Sequence, residues 1–408
     1  MRVLHIVKTS DGAAWAARQV LVLVRRGIEV HVAVPSGSGR TIPLWEAAGA
    51  HIHIVNLDLP ARKPWLVPKM CAAARQLVAE VKPDLIHSHF VSTTLLLRLA
   101  LGRNDSIPRV FQVPGPLHME HAISRTADLA TAGANDYWIG SSRCIVQHYR
   151  NAGVGEGRVF LSYYGFPTLV GKRNGYLRRR LGIEDGAKIV GNINLIYPPR
   201  RFLGQRVGLK CHEDVIEAIG IVQRSRSDVV GVLIGGTFGT TDTRYEEGLR
   251  ARAREVGRGK ILMPGYFGSE EVGQSWPDFD CAVHVPLSEN CGGVVEPLMA
   301  EVPTIGGMVG GLPEVVINGV TGVAVPIRNP QALAAAIQTM LDNPEPYKHM
   351  AARGRKLITN MFDVERTGRE VAEVYRHIVE RRGSPIMFCV ETTLNEIEAN
   401  EREVASRS

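Results

Sequence analysis

Residues 288–296 read Ser-Glu-Asn-Cys-Gly-Gly-Val-Val-Glu. An apolar run, 281–287, leads into them, and a helical pattern begins near Val294. Glu289 and Glu296 bracket the glycine pair Gly292-Gly293. The first N–H groups of a helix have no intrahelical acceptor, and together with the helix dipole they favour an anion. Glycine lets the backbone approach that anion closely. Glu296, one turn into the helix, can accept hydrogen bonds from sugar hydroxyls. A glycine turn with a carboxylate complementing the helix dipole accounts for the same residues. On spacing alone, a phosphate-and-sugar site and an ordinary strand-to-helix turn both stay open.

Other residues invite similar questions. His87-Ser88-His89 ends an apolar strand; with no carboxylate partner nearby, packing is the expected role rather than metal binding. Asp278-Phe279-Asp280 mimics a metal-binding Asp-x-Asp, yet it lies just before a strand and reads as turn and strand entry. No metal is expected. His118 follows Pro114-Gly115-Pro116, a stiff loop that raises its standing above that of a surface histidine. Asp11 and Trp15 lie on the first glycine-containing loop, where they could contact a substrate; Trp15 equally suits helix packing.

The 408-residue chain is 45% hydrophobic and 22% charged, as for a soluble globular protein with room for two domains. Its formal charge of +7 is diffuse. The densest basic clusters, 178–180 and 200–201, are too short for a nucleic-acid arm, and an anionic small molecule explains the balance equally well. Six scattered cysteines without a Cys-x-x-Cys pair fit neither a zinc site nor a disulfide framework, so a reducing cytoplasm is expected. The first residues are too soon interrupted for a signal peptide, and the run 93–101 is broken by Arg98, so no membrane insertion is expected.

Short β-branched runs alternate with amphipathic stretches. Strands are expected over 2–8, 29–35, 52–58, 84–90, 109–115 and 137–142, and again over 187–196, 229–236, 260–266, 281–287, 304–308 and 322–326. Helical patterns lie between them, including 212–225, 245–257 and 330–343. This alternation predicts an α/β protein with two doubly wound parallel sheets. The expected division is a domain over 1–165, a linker over 166–186, a second domain over 187–362, a helix over 363–382 that packs back on the first domain, and a tail over 383–408. Ligands in such sheets bind beyond the carboxyl ends of the strands, so two facing domains predict a cleft there.

Residues 294–326 resemble the C-terminal half of the retaining GT-B glycosyltransferases of family GT4. Glu296, Pro303, Gly310, Gly311, Glu314, Asn318-Gly319 and Gly322 fall in step with the family pattern. Segments 83–90, 139–166 and 245–272 resemble further parts of it, so the likeness covers most of the chain. The resemblance implies a GT-B fold and a nucleotide-sugar donor, most simply a UDP-sugar, with no other cofactor. It implies that Glu296 binds the ribose, and that Gly292, Gly293 and Val294 offer N–H groups to the diphosphate. It gives Lys210 the charge that neutralises the leaving diphosphate, His118 a contact with the donor sugar, Gly12 a place facing the diphosphate, and Tyr266 a place beside the base. Two departures stand out. The family separates its two glutamates by seven residues, whereas six separate Glu289 from Glu296, so either Ser288 or Glu289 meets the sugar. The family's phosphate-binding arginine aligns with Asn194, leaving Arg200, Arg201 or Arg206 to substitute from the following loop.

Residues 5–20 and 288–298 look most like the glycosyltransferases of aminoglycoside antibiotic biosynthesis that act on 2-deoxystreptamine. That resemblance implies a hexosyl or N-acetylhexosaminyl transfer to a small polar acceptor, without a metal. A cationic acceptor would want carboxylates, and Asp11, Glu120 and Glu289 are candidates. A lipid, inositol or polysaccharide acceptor is the near alternative, and a UDP-sugar epimerase of the same fold a further one. A nucleic-acid-binding protein is disfavoured by the lack of clustered basic and aromatic residues.

Overall fold

The computed structural model describes residues 1–407 except 61, 62, 169, 170, 202, 203, 239–241, 382, 384 and 386, without the side chains of 404–407. The chain divides into two compact units. Unit 1 comprises Met1–Pro167 with Met361–Cys389, and unit 2 comprises Thr168–Asn360 with Val390–Ser408.

Unit 1 is built on seven strands: β1 (Arg2–Ile6), β2 (Glu29–Val34), β3 (His51–Ile54), β4 (Leu85–Ser88), β5 (Arg109–Val113), β6 (Asp136–Gly140) and β7 (Val159–Leu161). They pair in the order β3-β2-β1-β4-β5-β6-β7, every pairing parallel. Alternate residues of β1 feed opposite faces, as in a sheet covered on both sides. Val3 joins the cluster under helix Ala14–Arg25 and helix Val364–Glu380, while Leu4 and Ile6 join Ala74, Leu77 and Leu97 on the other face. Helix Val364–Glu380 is capped by the Asp363 side chain accepting from the Arg366 N–H, and it buries Val371, Val374 and Tyr375 in unit 1. It crosses helix Ala14–Arg25 at Gly368, where an added Cβ would lie 2.5 Å from Val22.

Unit 2 carries β8 (Lys188–Ile193), β9 (Val229–Ile234), β10 (Ile261–Gly265), β11 (Cys281–His284), β12 (Thr304–Gly307) and β13 (Val323–Val325). Their order is β10-β9-β8-β11-β12-β13, again parallel throughout. Its two faces are filled by Val190, Ile216, Ile219, Val283 and Ile337 on one side and Ile189, Val232, Trp276 and Ala282 on the other. Strand order reverses direction between β1 and β4 and between β8 and β11, and loops leaving these strands open the crevice where doubly wound sheets bind ligands. Residues 7–13 and 89–90 follow β1 and β4; residues 194–211 and 285–291 follow β8 and β11.

Several elements escape the strand-and-helix pattern read above. Helices Ile42–Ala47, Val91–Leu101 and Pro344–Met361 are present, and an 18-residue helix, Val390–Arg407, occupies much of the C-terminal tail. Glu401 of that helix pairs with Arg353 and Lys356 of unit 2. Among the described residues no helix is long and apolar enough to cross a membrane.

Arg98, which interrupts the apolar run 93–101, is 3% exposed. Its Nη1 donates to Asp128 Oδ1 at 2.6 Å and its Nε to Asp136 Oδ1 at 3.0 Å. Arg109 Nη2 donates to the other oxygen of Asp136 at 2.7 Å. Removing one member of a buried ion network leaves uncompensated charge, at a cost of about 3–5 kcal/mol. Arg98→Met is therefore expected to lower the free energy of urea unfolding by ~3 kcal/mol or more; an unchanged midpoint would show that the network contributes nothing.

Candidate functional site

The chain leaves β11 at His284, turns through 285–291, and enters helix Gly292–Met299. His284 is 2% exposed. The side-chain nitrogen of Asn194, just past β8, donates to His284 Nδ1 at 3.1 Å. That leaves the proton on Nε2, which donates to Glu289 Oε2 at 2.9 Å. The ammonium of Lys210 donates to the same oxygen of Glu289, and the Asn290 N–H donates to the other oxygen at 3.1 Å. Asn194, His284, Glu289 and Lys210 thus form one connected cluster, with Lys210 and Glu289 each 14% exposed at the side chain. Backbone bonds hold its two loops: Leu287 N–H donates to Leu209 carbonyl at 2.9 Å, and Gly311 N–H to Glu289 carbonyl at 3.2 Å.

Two glycines are required by this packing. A Cβ on Gly293 would lie 2.1 Å from His284 Nε2. Gly310 has φ +57°, and a Cβ there would lie 1.8 Å from the Glu289 carbonyl oxygen. Gly292, by contrast, has nothing within 4 Å of its Cβ position. Pro297 inside the helix supplies no N–H for the carbonyl four residues back, that of Gly293. Two glycines and a proline are poor helix formers, so this helix is held by packing rather than propensity; Val294, Val295 and Leu298 are fully buried.

Electrostatics follow from the contacts. Burial pushes the Glu289 carboxyl up, but the Lys210 charge and the His284 hydrogen bond outweigh it and hold the group well below the usual carboxylate range. Burial lowers His284 below its ordinary value against the pull of Glu289. His212 is lowered to about 4, by burial first and then by His284 and Lys210. At neutral pH the cluster is one ammonium, one carboxylate and neutral imidazoles. An ammonium has three donors, so Lys210 can keep Glu289 and still offer N–H to an arriving anion. The start of helix Gly292–Met299 adds N–H groups of the same polarity.

Glu296, further along that helix, accepts from the indole N–H of buried Trp276 at 3.3 Å. Ser288 is 6% exposed, and Val294 is fully buried. Tyr266 follows β10 and is 56% exposed. The loop after β9 is shaped by Glu246, which accepts from Thr237 N–H and Oγ1, each at 2.8 Å. Arg201 and Arg206 are exposed in the 194–211 loop. Among the described residues no hydrogen bond or ion pair joins either to Lys210 or Glu289. Arg200 donates its N–H to Gln205. His284, Trp276 and Glu246 were not singled out in the sequence; the signal for His284 was a lone histidine closing an otherwise apolar strand.

In unit 1, Asp11 and Gly12 form a turn with their N–H groups on Thr9 Oγ1, and Asp11 Oδ1 accepts from Arg40 N–H at 3.2 Å. Trp15 packs on Tyr164, ring centroids 3.9 Å apart, and edge-on to His89. Glu120 ends a short helix, Leu117–Glu120, and is exposed. The ring of His118 is turned inward: Nε2 lies 2.9 Å from Tyr149 Oη and 3.4 Å from Asp128 Oδ2. His87 and His89 are fully buried with His5, and the Tyr375 hydroxyl bridges His5 and His87. Asp278 accepts the N–H groups of Gly175 and Leu177, and Asp280 accepts the Ile189 N–H and pairs with Arg173 and Arg178. Both carboxylates of the Asp-x-Asp thus anchor the segment around helix Tyr176–Leu181.

Two parallel α/β sheets of this order define the GT-B fold, and solved structures share it. Anabaena Alr3699/HepE, solved in complex with UDP and glucose, superposes with a TM-score of 0.75 at 19% identity, covering 91% of this chain and 98% of that one. Residues 14–168 match the family Glycosyltransferase Family 4, and residues 201–357 match Glycosyl transferases group 1. The chain therefore carries the domain pair of a GT4-type glycosyltransferase. Among curated relatives, glycogen synthase of Mycobacterium tuberculosis is 36% identical over 89 residues, 22% of this chain and 21% of that protein. The chain thus spans about a fifth of that relative's length in the match. D-inositol 3-phosphate glycosyltransferase of Kineococcus radiotolerans is 25% identical over 89% of each chain. Alpha-D-kanosaminyltransferase of Streptomyces kanamyceticus is 24% identical over 50% of each.

The glycine pair provides an internal comparison. Gly293→Ala must displace His284 and is expected to cost ~1–3 kcal/mol in urea unfolding, whereas Gly292→Ala, in open space, stays within ~0.5 kcal/mol. Equal effects of the two would contradict the packing described.

Proposed function

We propose that the chain is a retaining glycosyltransferase that moves a hexose or N-acetylhexosamine from a UDP-sugar to a small hydroxyl acceptor, with 2-deoxystreptamine as the acceptor. The observation that carries the reading is the Lys210–Glu289–His284 cluster set against the start of helix Gly292–Met299, with Glu296 on that helix. The matches to the two glycosyltransferase domains support the reaction class. The HepE complexes with UDP support the donor class, and the kanosaminyltransferase supports an aminoglycoside acceptor.

In this reading the first-turn N–H groups of Gly292, Gly293 and Val294 bind the diphosphate, Glu296 takes the ribose hydroxyls, and Tyr266 stands by the base. The bond between the anomeric carbon and the diphosphate oxygen breaks as negative charge grows on that oxygen. Lys210 and the helix start neutralise the charge where it develops. The acceptor oxygen attacks from the same face, and its proton passes to the departing diphosphate, so configuration is retained. Glu289 holds Lys210, and so acts as a positioning residue rather than a nucleophile. The ring of His118 is engaged by Asp128 and Tyr149, so the proposal gives it no contact with the donor. Asp11 and Glu120, two exposed carboxylates of unit 1, are the proposed contacts for a cationic acceptor. The likeness to the D-inositol 3-phosphate glycosyltransferase over most of its length favours a second reading, transfer to an inositol phosphate.

A mass-spectrometric screen of UDP-glucose and UDP-N-acetylglucosamine against 2-deoxystreptamine and inositol 3-phosphate tests both acceptors. Lys210→Ala and Glu296→Ala are expected to lower transfer by about 10²-fold or more while the proteins stay folded. Full activity in both variants would sink the site, and conversion of donor without any acceptor would indicate an epimerase.

A further inference from the structure

A second cluster lies at the opposite ends of the strands, where β2 and the edge strand β3 begin. Glu29 and His31 share one face of β2, and His51 and His53 share the same face of β3, because side chains alternate along a strand. The parallel register places His31 beside His51. The ring centroids of His31 and His51 are 4.8 Å apart, and those of His31 and His53 5.2 Å. One ligand atom from each of Glu29, His31 and His51 lies within 4.8 Å of the others. His51 is exposed, and the Glu29 side chain is 43% exposed, so solvent reaches the group.

We propose that Glu29, His31 and His51 form a binding site for a divalent transition-metal ion of the zinc type. Imidazole and carboxylate are the donor set such ions take, and three protein ligands leave a fourth position for water. Tetrahedral ligands at ~2.0–2.1 Å from zinc stand about 3.4 Å apart, so side-chain rotation closes the present separation without moving the strands. His53 completes the arrangement. His31 Nδ1 lies 2.9 Å from His53 Nε2, and His31 Nε2 lies 3.1 Å from Glu29 Oε1. A ligating histidine commonly donates its second ring N–H to a neighbour, which fixes ring and tautomer. An arriving ion takes the place of the proton between His31 Nε2 and Glu29 Oε1, and the single ring proton then sits on Nδ1, donated to His53. Arg2 donates to Glu29 Oε1 at 2.8 Å and to the Val81 carbonyl, and so steadies the carboxylate from the other side. That hydrogen bond, followed by the one from His31, lowers Glu29 to about 2. Burial first, then His31, lowers His53 against the opposing charge of Glu80.

The other imidazole trio, His5, His87 and His89, differs in each respect. It is fully buried, and its rings are bonded to one another and to Tyr375. An ion there would have to displace a bond of His5, both of whose ring nitrogens are engaged. A metal at Glu29, His31 and His51 would instead pin the outermost strand of the unit 1 sheet to its neighbour.

The test uses the full chain stripped with a chelator and titrated with Zn²⁺ in a non-coordinating buffer, with Co²⁺ as a spectroscopic probe. Binding of about one Zn²⁺ per chain is expected, with a rise in thermal midpoint and a Co²⁺ spectrum free of thiolate charge-transfer absorption. His31→Ala, His51→Ala and Glu29→Gln should each weaken binding by about tenfold or more and abolish the thermal rise, while His89→Ala leaves the affinity intact. No binding at millimolar Zn²⁺, full affinity in the His31 and His51 variants, or loss in His89→Ala alone would overturn the proposal.

Discussion

The pairing of Lys210 with Glu289 is the constraint on which the rest of the unit 2 site depends. A lysine ammonium is a mobile, strongly hydrated charge on a long stem. Glu289 restricts it, and Glu289 is restricted in turn by His284 and by the Asn290 N–H. Asn194 then sets the tautomer of His284. Each partner removes a degree of freedom from the next, so the positive charge stands in place before any ligand arrives. Preorganised charge is worth more than charge that must be gathered during a reaction, because no reorganisation is required when the new charge appears.

The backbone is adapted to this cluster at close range. Gly293 exists as glycine because the His284 ring occupies the space a side chain would take. Gly310 brings its backbone against the Glu289 carbonyl in a conformation few other residues adopt. The sheet topology supplies the remainder. β8 and β11 are neighbours at the point where strand order reverses, so the loops bearing Asn194, Lys210 and Glu289 leave from adjacent strands on the same edge. In unit 1 polar contacts go into the interior, where Arg98, Arg109, Asp128, Asp136, Tyr149 and His118 are linked by hydrogen bonds.

Much of the fold was legible because parallel strands buried on both faces appear as continuous apolar runs, and every expected strand in the two sheets has a counterpart. Short helices such as Ile42–Ala47 were not legible, since six residues carry too little periodicity. Glu289 was legible as a candidate but not as the partner of Lys210, because the 78 residues between them carry no sign of the contact. His284 was hidden for a related reason: one imidazole in Cys-Ala-Val-His reads as part of an apolar strand until the glycine opposite it is seen. The shortened spacing between Glu289 and Glu296 looked like a defect in a motif. In the structure Glu289 is occupied by Lys210 and His284, and Glu296 by Trp276.

On the proposed reading a nucleoside diphosphate settles on the start of helix Gly292–Met299 beside Lys210. The most direct measurement is a titration of the ¹⁵N-glycine-labelled protein with UDP, followed by amide chemical shifts. Saturable shifts of the Gly292 and Gly293 amides are expected, lost in Lys210→Ala. Saturable binding of UDP that leaves both amides unmoved would contradict it.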